Sequence, residues 1–127
     1  MNKLALLTLL ALLLTPLAAC GGTNTTMITM GATTFSISSV TISTGARLNF
    51  IDDANTGSMH LLVVGTNGAA HTEAGAPDFG ATGHAFQPGQ TWTTPPWNQT
   101  GTYHVTCQIH PQTMNLTVTV TAAGGGY

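Results

Sequence analysis

Residues 101–120 read GTYHVTCQIHPQTMNLTVTV. Two strands and the loop between them can be read directly from this stretch. In an extended chain successive side chains point to opposite faces. From Thr102 to Cys107 that puts Tyr103, Val105 and Cys107 on one face, apolar and so inward. Thr102, His104 and Thr106 fall on the other, with His104 toward water. From Asn115 to Thr121 the alternation is cleaner. Leu116, Val118 and Val120 face one way, and Thr117, Thr119 and Thr121 the other. Residues 108–113 bridge the two runs, so Cys107 and Met114 stand at the two feet of one short loop.

Working upstream, the same grammar recurs. Thr33 to Ile37 alternates and Val40-Thr41-Ile42 continues it. Gly45 turns the chain into Arg47 to Ile51, with Leu48 and Phe50 on one face. Asp52 to Ser58 is a polar loop, Met59 to Val64 an apolar run, and Gly65 to Gly89 a long irregular stretch. Thr91 to Thr94 precedes the Pro95-Pro96 breaker. No amphipathic helical period is found. Short strands at this spacing predict an all-β sandwich or barrel.

The chain of 127 residues is one domain in size. Charged residues are 5%, two basic and four acidic, so the basic footprint of a nucleic-acid binder is missing. The 43% apolar content suffices for a core. Abundant Thr and 15 Gly favour strands and turns.

Lys3 precedes an apolar run from Leu4 to Leu14, and the run exits through Leu17-Ala18-Ala19-Cys20. A positive start, a short apolar stretch and small residues describe an export signal. The exit resembles the lipobox of bacterial lipoproteins, in which the Cys is lipidated and becomes the new N-terminus. The expected organisation is a signal peptide over 1–19, lipidated Cys20 and a flexible tether over 20–29, the folded domain over 30–121, and a frayed tail over 122–127. Such a chain is exported and anchored to the membrane through Cys20, on a periplasmic or extracellular face.

If Cys20 carries lipid, Cys107 has no partner within the chain. A lone thiol in an oxidising compartment then serves an intermolecular disulfide, a nucleophile or a metal site. Its neighbours favour the last. Cys107, His110 and Met114 share one loop, and His60 opens a strand far upstream. Soft sulfur with imidazole selects copper, and two His, one Cys and a weak axial Met make the electron-transfer set.

With these residues in order, the chain resembles the cupredoxins, the small blue-copper family of plastocyanin, amicyanin and azurin. The likeness rests on Phe35, Val40-Thr41-Ile42, Gly45, Asp52-Asp53, His60, Pro88-Gly89-Gln90-Thr91, Gly101-Thr102-Tyr103, then Cys107, His110 and Met114. It implies a Greek-key β-sandwich of about 7–8 strands holding one copper ion. His60 and His110 would each bind through one ring nitrogen, Cys107 through thiolate, and Met114 as the axial ligand. His110 would be the electron port and Pro111 part of an apolar docking rim for redox protein partners at the membrane, the carrier itself being a monomer. Three features depart from the family. The Cys-x₂-His-x₃-Met spacing lies between the shorter amicyanin-like and longer plastocyanin-like loops. Leu61 stands where Asn often follows the first His and ties the ligand loops together. The 65–89 stretch is long and holds His71 and His84.

Plainer roles are expected elsewhere. His71 and His84 are solvated loop residues, Trp92 and Trp97 fill the sandwich or its rim, and Asp52 and Asp53 set their loop. Other functions compete. The same fold could bind and deliver copper without cycling it. An oxidase or reductase would need a further metal cluster, and no His-x-His pair exists. A Cys-protease would need an oriented base.

Overall fold

A computed structural model describes residues 24–124. The expected signal peptide and Cys20 lie outside the described residues. Among the described residues nine strands form the body: β1 (Thr25–Met30), β2 (Ser39–Ser43), β3 (Arg47–Asp52), β4 (His60–Thr66), β5 (Ala69–Ala70), β6 (His84–Phe86), β7 (Thr91–Thr93), β8 (Gly101–Cys107) and β9 (Asn115–Thr121). They make two sheets, one of order β1-β3-β7 and one of order β2-β9-β8-β4-β5, with β6 also pairing β4. This is the all-β sandwich expected. The count exceeds 7–8 because β5 and β6 are pieces of two and three residues inside the stretch read as irregular.

Two parallel seams distinguish the topology. β1 pairs β3 and β2 pairs β9, both in parallel, while the other pairings are antiparallel. Residues 25–29, expected in the flexible tether, belong to β1, so the sandwich begins before residue 30. Phe35, expected inside the first strand, follows it instead and makes an isolated bridge to Met30.

Period-2 patterning fills the space between the sheets. Ile28, Met30, Leu48 and Phe50 from the smaller sheet meet Leu62, Val105, Leu116 and Val118 from the larger, all at most 1% exposed. Each such side chain contributes roughly 1.5–3 kcal/mol on burial. Trp97 is wholly buried among them, its Nε1–H donated to Thr94 Oγ1 at 3.1 Å. Tyr103 lies inward as read, and its hydroxyl donates back to Gln99 O at 3.0 Å, bracing the entry to β8.

The outer face of β8 departs from the reading. Thr106 is fully buried, because residues after β4 fold over it: Gly68 N–H donates to Thr106 Oγ1 at 2.9 Å. His104 is also held, with Glu73 accepting from its backbone N–H at 2.7 Å and lying 2.9 Å from Nδ1. His71 is exposed as expected. His84 is not a solvated loop residue. It belongs to β6 and stacks on Trp92 at 4.1 Å and 12° between the planes.

The strand order places the chemistry. β4 and β8 run antiparallel with Leu62 opposite Cys107, so the head of β4 lies beside the foot of β8. His60 and Cys107, 47 residues apart in sequence, are thereby brought to one end of the sandwich.

Candidate metal centre

At that end, Cys107 Sγ lies 3.9 Å from His60 Nδ1 and 3.8 Å from His110 Nδ1. All three donor atoms fall within 4.8 Å of one another. First-row ions take His nitrogen and Cys sulfur at about 2.0–2.3 Å, so two such donors in a trigonal plane stand about 3.7 Å apart. The observed separations fit one ion of that kind.

Each donor is aimed by the chain around it. His60 is 1% exposed. Its Nε2 lies 2.9 Å from Gly31 O, a bond in which the ring must donate, which leaves Nδ1 unprotonated and facing Cys107. Burial lowers the His60 pKa, partly opposed by the Asp52 carboxylate, and so favours the neutral ring that metals require. Cys107 is fully buried and donates its N–H to Met114 O at 3.0 Å. Leu61 N–H points at Cys107 Sγ from 3.5 Å. The residue after the first His thus reaches the sulfur through its backbone, and the missing Asn side chain does not remove that contact. His110 is half-buried, with its ring edge-on to His60 at 5.2 Å.

Met114 is 0% exposed and donates its N–H to His110 O at 3.0 Å, which closes the ligand loop. Its backbone therefore stands against both Cys107 and His110. Met59 and Ile109, the residues before the two His, are 56% and 47% exposed. With Pro111 they give the surface beside the site an apolar character.

Asp52 does more than set a loop. It closes β3 at 1% exposure, 3.6 Å from His60 Nε2, and neither carboxylate oxygen has a hydrogen-bond partner among the described residues. Burial raises its pKa, against the pull of His60. Gly57 leaves it room, since a Cβ there would overlap the carboxylate. Asp53, by contrast, accepts from Asn55 N–H and Thr56 N–H and shapes the β3–β4 loop as read.

The role of Gly31 was not visible in the sequence, because a backbone carbonyl leaves no residue-type signature. The Asn67-Gly68 turn was visible in principle. An Asn-Gly pair after an apolar run is a hairpin signal.

A two-sheet sandwich with a buried Cys and two His converging at one end defines a cupredoxin-fold protein with a candidate mononuclear copper centre. Comparison with solved structures bears this out at the level of fold. Amicyanin from Paracoccus versutus (Thiobacillus versutus) matches with a TM-score of 0.53 and 17% identity, over 76% of this chain and 81% of its own. A reduced Cu(I) form of an amicyanin variant matches at 0.58 and 14%, over 82% and 87%. Auracyanin B matches at 0.53 and 25%, over 77% and 88%. No family model matches the sequence, and no curated protein does.

Proposed function

We propose that this protein is a one-electron carrier whose type 1 copper ion would be held by His60, Cys107 and His110, with the Met114 thioether as a further donor. One observation carries the reading: a buried thiol with two imidazole Nδ1 atoms 3.8 and 3.9 Å away, one of them kept free of its proton by a backbone carbonyl. Thiolate and imidazole select copper over harder ions. When bound, copper supplies a Cu(I)/Cu(II) couple. The chain's own residues fix the donors, exclude water from Cys107 and His60, and leave His110 at the surface as the port. The low charge of the chain suits docking through apolar contact near His110, Ile109 and Pro111 rather than long-range steering. The sequence before residue 24 supports export and anchoring to a membrane through lipidated Cys20, which would hold the carrier near membrane redox partners.

The test is a visible and paramagnetic spectrum of protein titrated with Cu(II), followed by reductive and oxidative cycling. An intense thiolate-to-copper band that bleaches and returns reversibly is expected, and Cys107→Ser should lose it. Folded protein that stays colourless overturns the reading. Copper that leaves to a mild chelator without cycling would point to delivery instead. Cell fractionation of Cys20→Ala checks the anchor separately, since a variant that still partitions with membranes removes it.

A further inference from the structure

The loop that carries His110 is also gripped from outside the donor set. Thr106 and Asn115 stand directly opposite each other in the β8–β9 pair, beneath the loop they flank. Asn115 Oδ1 accepts from Thr106 Oγ1 at 2.9 Å and from Asn67 N–H at 2.8 Å, while Asn115 Nδ2 donates to Pro111 O at 2.9 Å. These partners fix which way the amide faces. Thr106 Oγ1 in turn accepts Gly68 N–H at 2.9 Å, and Met114 O lies 3.2 Å from it. Asn67 and Gly68 have φ of 49° and 79°, the left-handed pair of a tight hairpin turn between β4 and β5. A Cβ on Gly68 would overlap the Pro111 ring, so this turn lies flat against the residue that follows His110.

We propose that Thr106 and Asn115 are positioning residues for the copper centre, holding Pro111 and hence the His110 backbone in the metal-binding arrangement; this rests on the copper reading above. The physical reason is local. Proline fixes its own φ and restricts the residue before it. Fixing the Pro111 carbonyl and ring therefore removes most of the remaining freedom of His110. The grip also ties the far end of β4, whose head supplies His60, to the loop that supplies His110. It does the work of joining the two ligand segments in a chain that has Leu61 in place of Asn. A buried hydroxyl is costly unless paired, and here each polar atom of the cluster has a partner.

The experiment compares Thr106→Val, Thr106→Ser and Asn115→Ala with wild type, and Thr102→Val as an exposed control on the same strand. Competition with a copper chelator should show affinity about 10–100-fold weaker for Thr106→Val and Asn115→Ala, with Thr106→Ser and the control within about twofold of wild type. In the metal-free proteins, amide exchange at Asn67 and Gly68 should quicken and the His110 ring signals broaden for the same two variants. Folded Thr106→Val that keeps wild-type affinity and exchange overturns the proposal. If Thr106→Val does not fold, Asn115→Ala decides. If wild type gives no thiolate–copper band, the copper reading fails, and the metal-free exchange data still judge the grip.

Discussion

His84 shows how much one side chain's environment changes its chemistry. Its ring lies face to face with Trp92 and 4.9 Å edge-on from Phe86, and burial lowers its pKa below 6.5. The unfolded chain has no such burial, so its imidazole takes a proton near the ordinary value, about 6.5. Between the lowered folded value and 6.5 the unfolded state binds more protons. The contribution of His84 to the stability of the metal-free protein is therefore constant above that window and falls as pH drops through it. His84→Phe keeps the aromatic contact and removes the proton. Urea melts at pH about 7.5 and about 5.5 should show wild type losing more stability than the variant. His60 carries a shift of the same sign in both proteins and cancels in the comparison. Equal losses would mean that His84 is not held neutral by its surroundings. The sequence could not reveal this, since the stack pairs β6 with a residue of the other sheet.

The loop between β3 and β4 is shaped around a carboxylate rather than merely being polar. A Cβ at Gly57 would overlap Asp52 Oδ1 and the Asp53 carbonyl. Gly57→Ala should cost about 1–3 kcal/mol, as overpacking of a filled site does. Because Asp52 lies 3.6 Å from His60 Nε2, the same variant should shift the His60 ring signals. Gly31→Ala is the contrast. A Cβ there meets nothing nearer than 3.9 Å, so it should stay within about 0.5 kcal/mol of wild type. A tolerated Gly57→Ala with unmoved His60 signals would show that the carboxylate is not confined. Elements differ in how openly the sequence announces them. β3 and β9 alternate strictly and bury the residues the alternation names. β1 was hidden because Thr25-Thr26 and Thr29 look like tether and only Ile28 and Met30 reach the core. Its parallel partner begins at Arg47, a pairing that no local pattern reports. The donor residues were legible because sulfur and imidazole at those spacings have few other uses. The residues that hold them act through a backbone carbonyl, a buried hydroxyl and a side-chain amide: Gly31, Thr106 and Asn115. Only the folded chain shows that a loop covers the outer face of β8.

At the scale of the whole molecule, the question is whether the metal builds the fold or only enters it. Apolar side chains close the sandwich along its length, and both parallel seams lie outside the donor set. The donors lie within 4.8 Å of one another, and each is held by contacts within the chain: His60 by Gly31, Cys107 by Met114 and Leu61, and the His110 loop by its own turn. Small metal-built domains behave oppositely, since their ligands organise only when the ion arrives and a chelator unfolds them. Here chelation should leave the far-UV circular dichroism unchanged, as well as the exchange protection of β4, β8 and β9. Copper should still raise the resistance to urea, because a ligand that binds only the native state stabilises it by mass action, about 4 kcal/mol at a thousandfold excess over Kd. The two measurements together decide the matter. Intact strands with a raised urea midpoint mean that the protein is a ready-made socket, whose donors are set by the chain rather than by the ion. Loss of strand structure on chelation would mean that the ion holds the two sheets in register, and the arrangement of donors would then be a consequence of binding rather than its cause.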